Sequence, residues 1–456
     1  MRDWMPKPVD EQTMKERRGQ FFTTSADVQE AMASLLTHAP SPSRCLEPSA
    51  GAGDLVSTLE RHGYADIDAI EFDPSIETIC ETEIERGSFF RYARGKEGRY
   101  DIIFGNPPYV AWKNLEDSQK SDPDVLEIKD RGYSEKCNFY LLFIDRCIDL
   151  LSDGGELVLI VPKEWLYSTS AAPLREKMKR DGSLTHIIDI GEERVFDDAM
   201  PPATIIFRYV RGERGDTVLV AGGIEAAGNG EWTEKEIVDF GDRWGLLDGD
   251  TAAGIGSDWI RLGDLYVPRV GIVSGADPIF RCGDDAPDGI GIVPYVTTRG
   301  VEMFIDPTGY DFDELCGYAR HRLLSNEKKL RSRKIMKITD SNWFRYGAVR
   351  NRDAMLSDTE RFYVKNRTRE SDPFFDDAAS RKLGAVLYSG GILGLFRSPS
   401  APADMKKSDI IGYLNSPLAA QLFEAMGITT GTKRTFLPSL VEEIPVPRSV
   451  AHHGSE

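Results

Sequence analysis

The sequence predicts an α/β protein: a mainly parallel sheet with helices on both faces in the first half, followed by a mixed α+β region. Three observations carry this. From residue 44 to about 210, strand-like apolar runs alternate with amphipathic helix-like runs. The stretch "GELVLIVP" (155–162) is continuously apolar from Leu157 on, the pattern of a strand buried on both faces. Beyond residue 211 glycine and charge become frequent, and after about 258 no clear alternation returns.

Taken in order, "RCLEP" (44–48) is a short strand, and "GDLVSTLERHG" (53–63) is a helix closed by Gly63. "DIDAIEF" (66–72) is the second strand. A helix is expected over "PSIETICETEI" (74–84), then a strand over "YDIIFG" (100–105). "NFYLLFIDRCIDLL" (138–151) reads as an amphipathic helix ended by Asp-Gly-Gly, leading into strand 155–162. A helix over 172–181 precedes two more strands, "THIIDI" (185–190) and "ATIIFRYV" (203–210). The boundary is expected near residue 250. That divides the chain into a first domain over 1–250, a second over 251–450, and a disordered tail over 451–456.

The chain has 456 residues, of which 41% are hydrophobic, an ordinary globular composition. No run reaches the roughly 18 apolar residues of a membrane span, and the start lacks a secretory apolar region. Six cysteines lie scattered with no C-x-x-C pair, so neither a disulfide framework nor a metal site is expected. These features place the protein in a reducing cytoplasm. A net charge of −18 argues against a polyanionic partner, but the charge is uneven. Between Arg320 and Arg369 fifteen Lys and Arg face five Asp and Glu, a net +10 that leaves −28 on the remainder. Such a segment is either a solvated basic face or a nucleic-acid footprint.

The first strand runs into "LEPSAGAGDL" (46–55). Gly51 and Gly53 let the backbone approach a ligand before the next helix begins. A dinucleotide fingerprint would need a third glycine where Val56 stands. Glu47, Asp54 and Glu71 surround this loop with negative charge, which suits a cationic ligand. S-adenosylmethionine, with its sulfonium and ammonium, is such a ligand, and Glu71 at a strand end is placed for ribose hydroxyls. A structural tight turn is the plainer reading of the glycines alone.

"YDIIFG" runs straight into Asn106-Pro107-Pro108-Tyr109. Two prolines cannot continue a ladder, so the strand stops there and leaves a rigid turn at its carboxyl edge. An exocyclic amine on an aromatic base is a poor nucleophile because its lone pair is delocalised into the ring. Two acceptors aimed at its hydrogens, the Asn106 side-chain oxygen and the Pro107 carbonyl, would draw the nitrogen toward tetrahedral geometry. Tyr109 offers a face on which the base stacks, worth about 1–3 kcal/mol.

With these motifs in this order, the chain resembles the amino-directed DNA methyltransferases of the gamma order, adenine-N6 type, of restriction-modification systems. The resemblance implies a Rossmann-like methyltransferase domain with a seven-stranded, mostly parallel sheet, followed by a target-recognition domain. It implies S-adenosylmethionine as cofactor and a flipped adenine in duplex DNA as substrate. "GQFFTTSADVQEAMASLL" (19–36) is similar to the segment closing over the methionine part, which makes Thr23 a binding residue. "EPSAGAGDL" matches the glycine loop (Glu47, Ser49, Gly51, Gly53, Asp54), and "EFDP" the ribose position, Glu71. "NPPY" matches the catalytic tetrapeptide, with Asn106 also beside the cofactor. Phe143 is the counterpart of an adenine-ring contact, and Phe196 of an aromatic covering the other face of the flipped base. The family usually has Asp-Phe at the adenine contact where "RGSFF" here supplies Ser88 and Phe89. In the second domain, "RVGIVSGAD" (269–277), "YVKNRTRESDPFF" (363–375) and the stretch 413–447 resemble target-recognition segments. There Arg367, Arg369, Lys433 and Arg434 are candidate DNA contacts. No nuclease signature is evident, so modification without cleavage by this chain is expected, on the nucleoid, with duplex DNA as partner and a separately acting cognate endonuclease as a candidate one. Alternatives are methylation of a protein glutamine or an rRNA amine, cytosine-N4 methylation, or a non-catalytic DNA-binding protein of the same fold.

Overall fold

The computed structural model describes residues 23–191, 203–256, 258–283, 286–334 and 337–452. The chain forms two compact units, 1–249 and 250–456. No helix among the described residues is long and apolar enough to cross a membrane.

In the first unit ten strands form one sheet. They are β1 Arg44–Glu47, β2 Asp66–Glu71, β3 Ile84–Arg86, β4 Tyr100–Gly105, β5 Leu151–Pro162, β6 Gly182–Gly191, β7 Thr204–Arg211, β8 Thr217–Ala221, β9 Thr233–Phe240 and β10 Arg243–Leu247. Their order is β10-β9-β8-β6-β7-β5-β4-β1-β2-β3. The pairings β2–β3, β1–β2, β1–β4, β4–β5 and β6–β8 are parallel, and the other four are antiparallel. The helices that matter here are α1 Ala26–Ala33, α2 Asp54–Arg61, α3 Phe89–Tyr92, α4 Pro123–Lys129, α5 Phe139–Leu150 and α6 Ala172–Asp181.

Alternation along the strands explains why both faces are covered. Ile103, Leu157, Leu159 and Val161 enter one core with α5 and α6. Their neighbours Ile102, Phe104, Val158 and Ile160 enter another with α1 and α2. A strand apolar on both sides is stable only with helices on both sides, as "GELVLIVP" indicates.

Two expectations are corrected. The sheet has ten strands, not seven, because the glycine- and charge-rich stretch after residue 211 supplies β8, β9 and β10. β9 is largely exposed, so it shows little apolar alternation. The expected helix over 74–84 is absent. Asp73 folds back on the Ser75 N–H and hydroxyl (3.0 and 2.6 Å), and Ile79 N–H bonds Ala52 O (2.8 Å). Glu60 of α2 takes the Thr82 N–H and hydroxyl, both at 2.7 Å. With its backbone groups bonded elsewhere the segment does not wind, and Ile84–Arg86 joins the sheet edge.

The second unit contains a four-stranded antiparallel sheet, Tyr266–Val270, Ile392–Arg397, Arg361–Lys365 and Phe374–Asp376 in spatial order. An aromatic core that includes Tyr295, Phe304, Phe344, Tyr346, Tyr363 and Tyr388 supports it. Residues Arg448–Ala451 form a short helix and Ala451 is buried, so order continues into the first residue of the expected tail.

Candidate active site at the carboxyl edge of the sheet

Strands β4, β1 and β2 are adjacent and parallel, so the loops leaving Gly105, Glu47 and Glu71 meet at one edge. The chain moves outward from β1 to β2 and later returns to β4 on the other side of β1. That reversal opens a crevice at the carboxyl ends. A cavity of about 590 Å³ occupies it, within the ~300–1,000 Å³ range of small-molecule sites. Of the residues expected at the cofactor, Thr23, Ser49, Gly51, Asp54, Glu71, Ser88, Phe89, Asn106 and Phe143 line this cavity. Phe196 lies outside the described residues.

Glu47 and Gly53 sit behind the wall rather than in it. Glu47 is wholly buried. Burial pushes its carboxyl well above the usual range and the Glu71 charge adds to this, against hydrogen bonds from the Ser49 and Asn106 N–H groups. Ser49 Oγ donates to Asn106 O at 3.0 Å. The glycine loop therefore clasps the Asn106 backbone at both ends. Gly105 has to be glycine here, because a Cβ on it would stand 2.5 Å from Glu47 Oε1. Gly53 has φ +100° and abuts Cys80, whose Sγ would lie 2.5 Å from an added Cβ.

Glu71 closes the loop from the other side. Its Oε2 accepts the Gly51 N–H at 2.8 Å and its Oε1 the Asp73 N–H at 2.7 Å. Burial raises its carboxyl above the ordinary value despite those bonds. Each oxygen keeps a further lone pair, and the residue faces the cavity. Asp54, Glu116 and Asp122 add acidic groups to the lining, with Arg91 the basic residue among them, 3.7 Å from Asp122. The apolar end is aromatic: Phe89 stacks on Phe143 (4.9 Å, 21°), and Phe90 and Phe139 pack around them. Ser88 caps α3, accepting from Arg91 N–H, and its own hydroxyl proton remains available. The lining thus pairs an aromatic slot with carboxylates, a donor set that fits a nucleoside carrying positive charge. Alanine at Glu71 should weaken binding of such a cationic nucleoside about tenfold to a hundredfold, the worth of a charged hydrogen bond, measured by calorimetric titration with S-adenosylmethionine as the probe.

The tetrapeptide leaves β4 at the rim. Asn106 Nδ2 donates to Thr23 Oγ1 at 3.1 Å. Tyr109 does not line the cofactor cavity. Its hydroxyl donates to Ile160 O on β5 at 2.7 Å, and its ring meets Tyr140 edge-on at 5.8 Å. The ring is fixed at both ends and partly buried.

Sequence reasoning missed the wall formed by residues 114–125, which brings Glu116 and Asp122 to the cavity. A signal was present: Asp122 accepts the Asp124 N–H and Pro123 opens α4, a cap-then-proline start. In the second unit, Arg367–Thr368, Lys433–Thr435 and Thr429–Thr430 form one three-stranded sheet, so the four basic residues singled out are neighbours. Arg367, Arg369 and Lys433 are exposed. Arg434 is engaged internally, donating to Glu370 O and Ser371 O at 3.0 and 2.8 Å. Part of the +10 segment is likewise internal: Arg361 is wholly buried, and Arg333 donates to Ser274 O, Trp343 O and Arg345 O.

Residues 55–196 match a family described as Eco57I restriction-modification methylase. The chain is 32% identical over 210 residues to the Type II methyltransferase M.HincII of Haemophilus influenzae, covering 46% of this chain and 40% of that protein. It is 29% identical over 231 residues to the Type II methyltransferase M.TthHB8I of Thermus thermophilus, covering 46% of this chain and 50% of the relative. The chain therefore spans about half or less of the length of these curated relatives. Among solved structures it is similar to the Type IIL restriction-modification enzyme MmeI in complex with DNA. The TM-score is 0.57 at 11% identity, over 91% of this chain and 63% of that one, a likeness of fold.

Proposed function

From the match of residues 55–196 to the Eco57I restriction-modification methylase family, we propose that the chain methylates DNA at the N6 amine of adenine. The donor is S-adenosylmethionine. The supporting observation is the placement of Asn106: its backbone is clasped by the glycine loop and its side chain lines a cavity walled by acidic and aromatic residues.

S-adenosylmethionine supplies an electrophilic methyl on a sulfonium. The protein's own part is orientation. Glu71 and the loop at Gly51 hold the ribose end, and Phe89, Phe143 and Ser88 take the adenine end. Asn106 Oδ1 and the Pro107 carbonyl receive the two hydrogens of the target amine and raise electron density on its nitrogen. Pro107 and Pro108 keep those acceptors from relaxing, which is what makes them preorganised. Tyr109, braced on Ile160 and Tyr140, stacks the extruded base and offsets part of the few kcal/mol that flipping costs.

The second unit reads the duplex in this proposal, with Arg367, Arg369 and Lys433 on the phosphates and Arg434 as the brace beneath them. Replacing the first three together with glutamine should flatten the dependence of DNA affinity on salt. The expected change is about one unit of log–log slope for each phosphate left without its cation. Anisotropy titrations of labelled duplex across a potassium chloride series measure that slope. A separate endonuclease and a chromosomal substrate in the cytoplasm complete the proposal.

The experiment that tests the function is methylation-sensitive long-read sequencing of amplified genomic DNA treated with the protein and cofactor. It returns the modified base and its sequence context together. Unmodified DNA, with labelling of release factor or rRNA instead, would transfer the same amine chemistry to a different substrate.

A further inference from the structure

Gln29 takes no part in the reaction as proposed, yet it lies at the centre of a buried hydrogen-bond chain that ends on Asn106. On α1 it is 6% exposed, and Thr58 on α2 is wholly buried beside it. Gln29 Oε1 accepts from Arg61 Nη2 at 3.2 Å and lies 3.2 Å from Thr58 Oγ1, whose single proton also faces Asp54 O at 3.0 Å. With its oxygen turned to the Arg61 guanidinium, which only donates, the amide presents its nitrogen the other way, and Nε2 donates to Thr23 O at 2.7 Å. Thr23 is itself buried, and its Oγ1 accepts from Asn106 Nδ2 at 3.1 Å.

Backbone contacts from Glu47 and Ser49 hold the Asn106 main chain but do not fix its side chain. The Thr23 hydroxyl does, by accepting from Asn106 Nδ2. Thr23 stands three residues ahead of α1, and the Gln29 side chain fastens its carbonyl to that helix.

We propose that Gln29 is a positioning residue: through Thr23 it holds the Asn106 side chain in place. The inference rests on the amine-methylating function proposed above. The Arg61 guanidinium orients Gln29, Gln29 holds Thr23, and Thr23 holds Asn106.

Two variants of the full chain test this, Gln29→Leu and Gln29→Glu, with kcat at saturating S-adenosylmethionine, cofactor Kd, and the side-chain amide resonances of Asn106 in asparagine-labelled protein as readouts. Gln29→Leu should lower kcat on the order of 10²-fold, the scale of a misplaced reacting group, with Kd changed less than about threefold. In Gln29→Glu a protonated carboxyl donates to Thr23 O as the amide did, whereas an ionised one repels it. Its kcat relative to wild type should therefore fall as pH rises, and the Asn106 amide resonances should move over the same range. Wild-type kcat in Gln29→Leu, a ratio of one at every pH in Gln29→Glu, or Asn106 resonances that stay in place in both variants would each overturn the inference. If the wild-type protein methylates no DNA, the proposed function fails, while the Asn106 resonances still decide the coupling.

Discussion

Replacing Asn106 with alanine is expected to lower methyl transfer at saturating cofactor by at least about 10²–10³-fold, the usual consequence of deleting one preorganised polar partner of a reacting centre. Cofactor affinity should change little, because Glu71, the Gly51 loop and the Phe89–Phe143 pair remain. The Asn106 backbone bonds to Glu47 and Ser49 also survive the substitution, so the turn keeps its place. Only the amide is lost, and with it both the acceptor for the target amine and the bond to Thr23. Initial rates of labelled methyl incorporation into amplified genomic DNA, beside calorimetric cofactor titration, separate the two effects. Unimpaired turnover by a folded Asn106→Ala protein would remove the nucleophile-activating role from this residue.

A second large effect is expected far from the cavity, at Glu156. This carboxylate is wholly buried on β5. It accepts the N–H groups of Thr37 and His38 at 2.9 Å each, the Thr37 hydroxyl at 3.1 Å and Arg208 Nε at 2.7 Å. Burial by itself would raise its pKa; the hydrogen bonds from His38, Arg208 and Thr37 outweigh that and hold it below the ordinary value. Glu156→Leu would strand two backbone donors and the Arg208 charge in the interior, at a cost of about 3–5 kcal/mol. A drop of several degrees in the melting transition of the first unit is the readout. Because the folded pKa is depressed, this stabilisation is complete above the unfolded value. It is lost as pH falls through the folded one, so the gap between mutant and wild type should begin to narrow below about pH 4.5. A melting difference that persists undiminished at pH 3 would show that packing, not charge, carries the effect.

How much of this was legible in advance differs by element. Strands β1, β2, β4, β5, β6 and β7 announced themselves through apolar runs bounded by glycine, proline or charge, since each is buried on both faces and tolerates little else. β8 to β10 did not: β9 is largely exposed and imposes no such pattern, and β8 and β10 are runs of five residues, too short to stand out among the glycine and charge around them. The segment 74–84 misled for the opposite reason. Its composition allows a helix, and only bonds from residues far along the chain, Glu60 and Ala52, take its backbone groups. Around the cavity, short local motifs carried their residues with them: Ser49, Gly51, Glu71 and Asn106 follow directly from strand ends. Glu116 and Asp122 come from a stretch with no such anchor, and fold over the crevice through α4.

By itself the sequence determined which chemistry could be assembled: two acceptors at a proline-locked turn, a carboxylate at a strand end, a glycine loop, and strands apolar enough to demand helices on both sides. These are local properties, set by the residues' own donors, acceptors and backbone limits. Only the tertiary structure decided which way each group faces. It placed Glu47 under the loop rather than in the cavity, turned Arg434 inward while Arg367 and Lys433 stay exposed, and ran a chain of bonds from Arg61 through Gln29 and Thr23 to Asn106. Orientation of this kind depends on partners brought together from distant positions, and spacing along the chain does not encode it.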